Sequence, residues 1–171
     1  MKTLEVDFVT EWLGRAYFHD LSTFGALSEA AVRFLLCGGR LLQLQQGDLL
    51  YRAGDPAAEF YVVLHGDLSF YKQSEGQDVL TRHFQRGELL GFDGMIGLHA
   101  RSGTAVAGEE VVVLEVGSAL FFDLHTLFPA DFGLMMINLS RELSREIALL
   151  ENVIGQSIGW QSPQDEATSS D

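Results

Sequence analysis

The residues best placed to do chemistry lie between Gly87 and Ala107, in the stretch GELLGFDGMIGLHARSGTAVA. Gly91, Gly94 and Gly97 interrupt an apolar run there, and glycines so placed let the backbone turn tightly and aim its amide N–H groups into one concavity. Arg101 follows, with Ser102 beside it. A planar guanidinium next to a hydroxyl and unpaired amides is a grip for a phosphate or a similar anion. An arginine in this setting has one competing use, an ion pair with a nearby acid such as Asp93.

Other chemistries find little support. His65, His83, His99 and His125 are too scattered for a metal site, since ligands for one ion come at short, regular spacings. No Ser, His and Asp stand in a recognisable catalytic motif, and Asp20 beside His19 reads as a polar loop. The sequence therefore predicts no enzyme and no metal or other cofactor. Cys37 is the one cysteine and sits in an apolar segment, so it is expected to be a buried, inert thiol. Eleven Lys plus Arg against 24 Asp plus Glu give a net charge of −13, which repels polyanions and argues against direct nucleic-acid binding. The N-terminus carries Glu5, Asp7 and Glu11 where a signal peptide needs an apolar run. No segment approaches the roughly 18 consecutive apolar residues of a membrane span. The expectation is a soluble cytoplasmic protein.

The elements that must position the Gly–Arg stretch are legible from periodicity. Val6 to Ala16 places Phe8, Val9, Trp12, Leu13 and Ala16 on one helical face. A second helix is predicted to start at Ser28 as its N-cap and to end at Gly38-Gly39. From Arg40 the period shortens. RLLQLQ, DLLYRA, EFYVVLH, DLSFYKQ, DVLTRHF, TAVAG and EVVVLEV read as strands, punctuated by Gly47-Asp48, Gly54-Asp55-Pro56, Gly66-Asp67 and Gly87-Glu88. Many short strands at near-regular spacing predict a mainly β fold, an antiparallel jelly-roll barrel with flanking helices. Ser118 is expected to cap a short helix, and Pro129 to open a long one. Phe132, Met136, Leu139, Leu143, Ile147, Leu150 and Ile154 then follow steps of three or four. That seam either folds back on the barrel or pairs with a second copy of the chain. The expected organisation is N-terminal helices over residues 1–39, the barrel over 40–127 with the anion-binding cassette at 87–107, the long helix over 128–154, and an acidic, disordered tail over 155–171.

The order of these pieces resembles the cyclic nucleotide-binding domain family. The landmarks are Gly47-Asp48, Ala53-Gly54-Asp55, the Tyr61-Val62-Val63-Leu64-His65-Gly66 strand and turn, Gly87-Glu88, Gly91, Arg101 and Val113-Leu114-Glu115-Val116. The resemblance covers roughly residues 20 to 154, and its weight lies in the ordered series. It implies a phosphate-binding cassette in which Arg101 pairs with a cyclic phosphate and Ser102 hydrogen-bonds it, while the backbone from Gly91 through Phe92, Asp93 and Gly94 to Met95 caps it. The implied ligand is cyclic AMP, cyclic GMP or cyclic di-GMP. Phe92 stands where the family places the glutamate that accepts from the ribose hydroxyl, with Asp93 one residue on. Where cyclic-AMP binders often present hydroxyls from the long helix, this chain has Glu146 and Ile147; Asn138, Ser140 and Ser144 are other polar groups on that helix. The residues after Ile154 are too few for the helix-turn-helix domain seen in the catabolite activator family.

Two readings of function follow. In the first, a single-domain cyclic nucleotide-binding regulator signals through an unidentified protein partner, as a homodimer joined by the C-terminal helix. In the second, the same fold has a degenerate pocket, binds no nucleotide, and is kept as a protein-interaction and dimerisation module. Phe92, able to fill the pocket with its own ring, motivates the second.

Overall fold

The computed structural model describes residues 1–158. They form two compact units, Met1–Asn138 and the chain from Leu139 onward. In the first unit nine antiparallel strands make two sheets. β1 (Lys2–Leu4), β2 (Arg40–Leu44), β9 (Val111–Gly117), β4 (Glu59–His65) and β7 (Leu89–Leu90) form one, in that order. β3 (Leu49–Tyr51), β8 (Thr104–Ala107), β5 (Leu68–Ser74) and β6 (Gln77–Phe84) form the other. The jelly-roll fold expected from the sequence is found, although the two sheets stay separate and do not close into a barrel.

The central strands β9 and β4 of the five-stranded sheet are buried on both faces, and this explains why they read as continuous apolar runs without alternation. Tyr61 and Val63 of β4, with Val111 and Val113 of β9, join Leu42, Leu68, Phe84 and Ala105 in the core between the sheets. Phe60, Val62 and Leu64 alternate with them on β4 and are equally buried on the opposite face. There Phe60 meets Phe121 edge to face at 5.5 Å. Outer strand β6, with a neighbour on one side only, is exposed over most of its length.

A repeated turn explains the Gly-Asp and Gly-Glu punctuation. In Gln45–Asp48, Arg52–Asp55 and Gln85–Glu88 the acid side chain accepts the N–H of the residue three before it, at 2.9, 2.8 and 2.7 Å. Each turn is then strapped to a neighbouring residue, whose C=O accepts the glycine N–H and whose N–H reaches the acid's main-chain oxygen. The strapped residues are Ala107, Arg101 and Val63 respectively. The device thus recurs three times, and the middle copy, beside β3 and β8, holds the backbone of Arg101.

The helices are α1 (Val6–Leu13), α2 (Arg15–His19), α3 (Glu29–Gly38), α4 (Phe92–Gly97), α5 (Ser118–Leu127) and α6 (Pro129–Ile158). Ser28 caps α3 as expected, its Oγ accepting the Ala31 N–H at 3.2 Å. The single helix expected over Val6 to Ala16 is broken at Gly14, whose φ of 81° and ψ of 148° leave helical space. Only Val9 of α1 is buried, while Phe8 and Trp12 stay exposed; Trp12 lies edge-on to His65 at 5.0 Å. Cys37, expected buried, is exposed, because α3 turns Ala31, Val32, Leu35 and Leu36 inward and leaves position 37 on the opposite side. Ser118 is the first helical residue of α5 and makes no side-chain cap. Strands β1 and β7, of three and two residues, had no sequence signal of their own.

Within the first unit the start of α6 is well anchored. Asp131 accepts from the Ser28 N–H and Oγ–H at 2.6 and 3.0 Å, Met135 is fully buried, and Asn138 Nδ2 donates to Gly25 O at 2.8 Å. In the second unit α6 runs to Ile158, past the expected end at Ile154. A glycine inside a helix costs only about 1 kcal/mol, which a helix already propagating absorbs. The first residues of the expected tail, from Gly155, are therefore helical, and the remainder, 159–171, lies outside the described residues. Leu143, Ile147, Leu150 and Val153 leave an exposed apolar stripe along this part of the helix. No described helix is long and apolar enough to cross a membrane.

Candidate functional site

Arg101 enters from the loop before β8, its backbone fixed by Gly54 N–H to Arg101 O at 2.9 Å and Arg101 N–H to Asp55 O at 2.8 Å. Its side chain passes beneath Gly91, which ends β7 and caps α4 in the left-handed region at a φ of 79°. Only glycine fits there, because a Cβ at residue 91 would collide with the Arg101 guanidinium. Arg101 Nη1 donates to Gly91 O at 2.9 Å. Nη2 donates to Glu59 O at 2.7 Å and to Glu59 Oε1 at 2.8 Å, making an ion pair. The guanidinium carbon lies over the Tyr51 ring at 4.4 Å and over the Tyr61 ring at 5.4 Å from the centroid, an arrangement that favours a cation against two π faces. The Arg101 side chain is 1% exposed, and its Nε is buried with no hydrogen-bond partner.

Glu59 stands at the start of β4, its side chain 27% exposed, and also accepts from the Tyr61 hydroxyl at 3.1 Å. Across the sheet Tyr61 pairs with Glu115, and Arg40 pairs with Glu115 as well. Arg40 Nη1 lies 3.3 Å from Glu115 Oε1. Arg40, Glu115, Tyr61, Glu59 and Arg101 thus form a ribbon with a cation at each end, a carboxylate inside each and a phenol at its centre. Burial, and then the neighbouring Glu59 charge, push the Glu115 carboxyl up, while Arg40 and the Tyr61 hydroxyl oppose the shift. The Tyr51 and Tyr61 phenols are both raised far above the usual range, mainly by burial; the Glu59 and Glu115 carboxylates add to the effect on Tyr61, and Arg101 opposes it on both rings.

The predicted cassette residues do not converge on one hollow. Phe92 is buried, with its ring edge-to-face against Phe60 at 5.4 Å and Phe121 at 5.8 Å. That is the helix-covered side of the sheet, opposite Tyr61 and Arg101. Phe92 therefore does not fill the pocket with its ring; Tyr51 and Tyr61 line the guanidinium. Asp93 and Ser102 are exposed and close together, the Ser102 hydroxyl donating to Asp93 Oδ2 at 3.4 Å. The competing use foreseen for Arg101 does occur, with Glu59 as the acid in place of Asp93. Gly94 and Met95 are buried within α4, and Met95 N–H shares Gly91 O with Arg101 at 3.4 Å. Past the helix, Leu98 adopts a left-handed φ of 55° and is 92% exposed. Sequence reasoning missed the site roles of Glu59, Tyr51, Tyr61 and Glu115: all four sit in strands, and Tyr61 and Glu115 entered only as strand landmarks of the resemblance.

Elsewhere, His83 Nδ1 lies 3.3 Å from Ser69 Oγ and 3.6 Å from Asp67 Oδ2. One ring nitrogen serves both neighbours, so the trio lacks the through-ring relay of a nucleophile, base and orienting acid. Among the described residues no group of three His, Cys, Asp or Glu side chains is placed to hold a metal ion.

A two-sheet jelly roll with a glycine-capped short helix over a buried arginine defines a class of small β-domain framed by helices. The sequence profile of the cyclic nucleotide-binding domain matches residues 41–126, and the chain belongs to that family. Its fold is similar to a cyclic nucleotide-binding domain from Methylobacillus flagellatus, with a TM-score of 0.75 at 18% identity, covering 84% of this chain and 83% of that one. It is also similar to the Thermus thermophilus catabolite activator protein, with a TM-score of 0.68 at 23% identity, covering 79% and 62% of the two chains. In sequence it is 29% identical over 104 residues to the anaerobic regulatory protein of Pasteurella multocida, which covers 60% of this chain and 38% of that relative. The match to the anaerobic regulatory protein of Aggregatibacter actinomycetemcomitans spans 40% of its length, so this chain matches about two fifths of each relative.

Proposed function

We propose that this chain is a cytoplasmic, non-enzymatic regulatory module that acts through protein contacts, and that in its resting form it binds no cyclic nucleotide. The observation that carries this is the state of Arg101: a side chain 1% exposed, ion-paired to Glu59 and stacked against Tyr51 and Tyr61. A cyclic phosphate reaching it must displace a carboxylate of the same charge, and Asp93 adds a second acid near Ser102. A partner protein then receives the signal, and the exposed stripe of Leu143, Ile147, Leu150 and Val153 supports pairing of the long helix with that of a second copy.

The test is titration calorimetry of the full chain with cyclic AMP, cyclic GMP and cyclic di-GMP, alongside sedimentation. The expected result is no saturable heat up to about 1 mM, where binding energy falls to about 4 kcal/mol, with a dimer that Ile147→Asp turns into monomer. Micromolar binding abolished by Arg101→Met overturns the ligand-free reading. A monomeric wild type overturns the pairing.

The receptor reading keeps one specific support. Arg101 and Ser102 stand at the family's spacing from Gly91, and Arg101 Nε is a buried donor with no partner.

A further inference from the structure

A guanidinium has five N–H donors, and the acceptors around Arg101 differ in kind. Gly91 O and Glu59 O are main-chain carbonyls, fixed by the cap of α4 and by β4. The third acceptor, Glu59 Oε1, is at the end of a flexible side chain and is free to move by rotamer change alone. The pair is also asymmetric, with Arg101 1% and Glu59 27% exposed at the side chain, so the carboxylate is on the solvent side of the cation it covers.

The pair's geometry is not that of a bond built only for stability. Arginine–carboxylate pairs of that type are commonly forked, with two parallel N–H···O bonds. Here one carboxylate oxygen takes one Nη2 donor, and Nε, on the same edge, makes no bond. The Glu59 carboxylate also has a like charge close by in Glu115, whose carboxyl is pushed up by burial and by Glu59 itself. The carboxylate on Arg101 is thus attracted by the cation and repelled by the neighbouring acid.

We infer that Glu59 is the built-in occupant of the anion site: its carboxylate takes on Arg101 the place of a phosphodiester monoanion, and the guanidinium accepts such a ligand only when Glu59 leaves. The inference rests on the reading above that the Arg101 site is shut in the resting protein. Two anions of equal charge cannot share the edge of this cation that the Glu59 carboxylate covers, so occupancy is exclusive. Opening the site also leaves Tyr61 OH free to donate elsewhere. Glu59 therefore sets the threshold that a cyclic nucleotide must exceed.

The experiment compares wild type, Glu59→Gln and Glu59→Asp in the full chain, titrated with cyclic AMP, cyclic GMP and cyclic di-GMP by calorimetry. The Nε–H resonance of Arg101 is followed by NMR in the same samples. Gln keeps the shape and an acceptor for Tyr61 but removes the competing charge; Asp withdraws the carboxylate by one methylene and covers the case in which Gln does not fold. Thermal unfolding confirms that each variant is native. For at least one nucleotide, Glu59→Gln is expected to bind about tenfold or more tightly than wild type, the scale of one charge-assisted hydrogen bond. Glu59→Asp falls between them, the Nε–H resonance shifts on binding, and the gain disappears in Glu59→Gln/Arg101→Met. Equal titration of all three proteins overturns the inference. If all bind alike, the shut-site reading falls with it; if none binds although all are folded, that reading stands and the inference alone is lost.

Discussion

Replacing Arg101 with alanine tests whether this arginine is a structural group or a ligand group waiting for its partner. In an open pocket the guanidinium faces water, and its loss leaves stability within about 0.5 kcal/mol. Here truncation strands Glu59 O without its donor and leaves Gly91 O only the longer bond from Met95 N–H at 3.4 Å. An orphaned buried acceptor costs about 1–3 kcal/mol. The stack on Tyr51 is lost too, and a cavity opens beneath Gly91. The ion pair itself adds little to this sum, because Glu59 is 27% exposed and keeps the Tyr61 hydroxyl. The expected loss is about 2–4 kcal/mol, which at roughly 2–4 °C per kcal/mol for a chain of this size lowers Tm by about 5–15 °C. Urea unfolding followed by far-UV circular dichroism measures it, with an unchanged m-value to show that the unfolded state is the same. An Arg101→Ala protein as stable as wild type refutes the reasoning and means that the site is open in solution.

Two further perturbations probe the same neighbourhood. Gly91→Ala combines a positive φ with a collision against the Arg101 guanidinium, and is expected to cost about 2 kcal/mol or more in the same urea assay; a loss below about 0.5 kcal/mol contradicts the close approach. Glu115 is an acid held more strongly protonated in the folded chain than in the unfolded one, chiefly by burial. Ionising it therefore removes stability as pH rises from the ordinary glutamate range through the raised folded value, and the penalty is absent below that window. Glu115→Gln should flatten the stability profile there, and an unchanged slope assigns it to other carboxylates.

The particular elements show where pattern reading succeeds. Strands β4 and β9 were legible as strands because β-branched and aromatic residues run between Gly-Asp turns, and the turns recur with one chemistry, an acid accepting the N–H three residues before it. The break at Gly14 was not legible, since a lone glycine in an amphipathic run is as often tolerated as not. Cys37 was misjudged because an apolar segment does not say which of its residues faces inward. At the site, the closeness of Gly91 and Arg101 was legible because their types and spacing are local. Phe92 was placed in the pocket on the strength of its position, whereas the structure uses it in an aromatic cluster with Phe60 and Phe121 on the far side of the sheet.

By itself, the sequence determined the family, the order of the longer strands and their turns, the glycine that caps α4 and the arginine beneath it. Each of these depends on side-chain type and short-range spacing, which the chain carries wherever it folds. Only the tertiary structure decided whom the arginine serves. Glu59 is 42 residues away in sequence, and the register of β4 beside β9 together with the strap on the Arg52–Asp55 turn bring its carboxylate onto the guanidinium. A charge pair of that separation leaves no local signature, because Coulomb attraction acts on distance in space and the sequence records only distance along the chain.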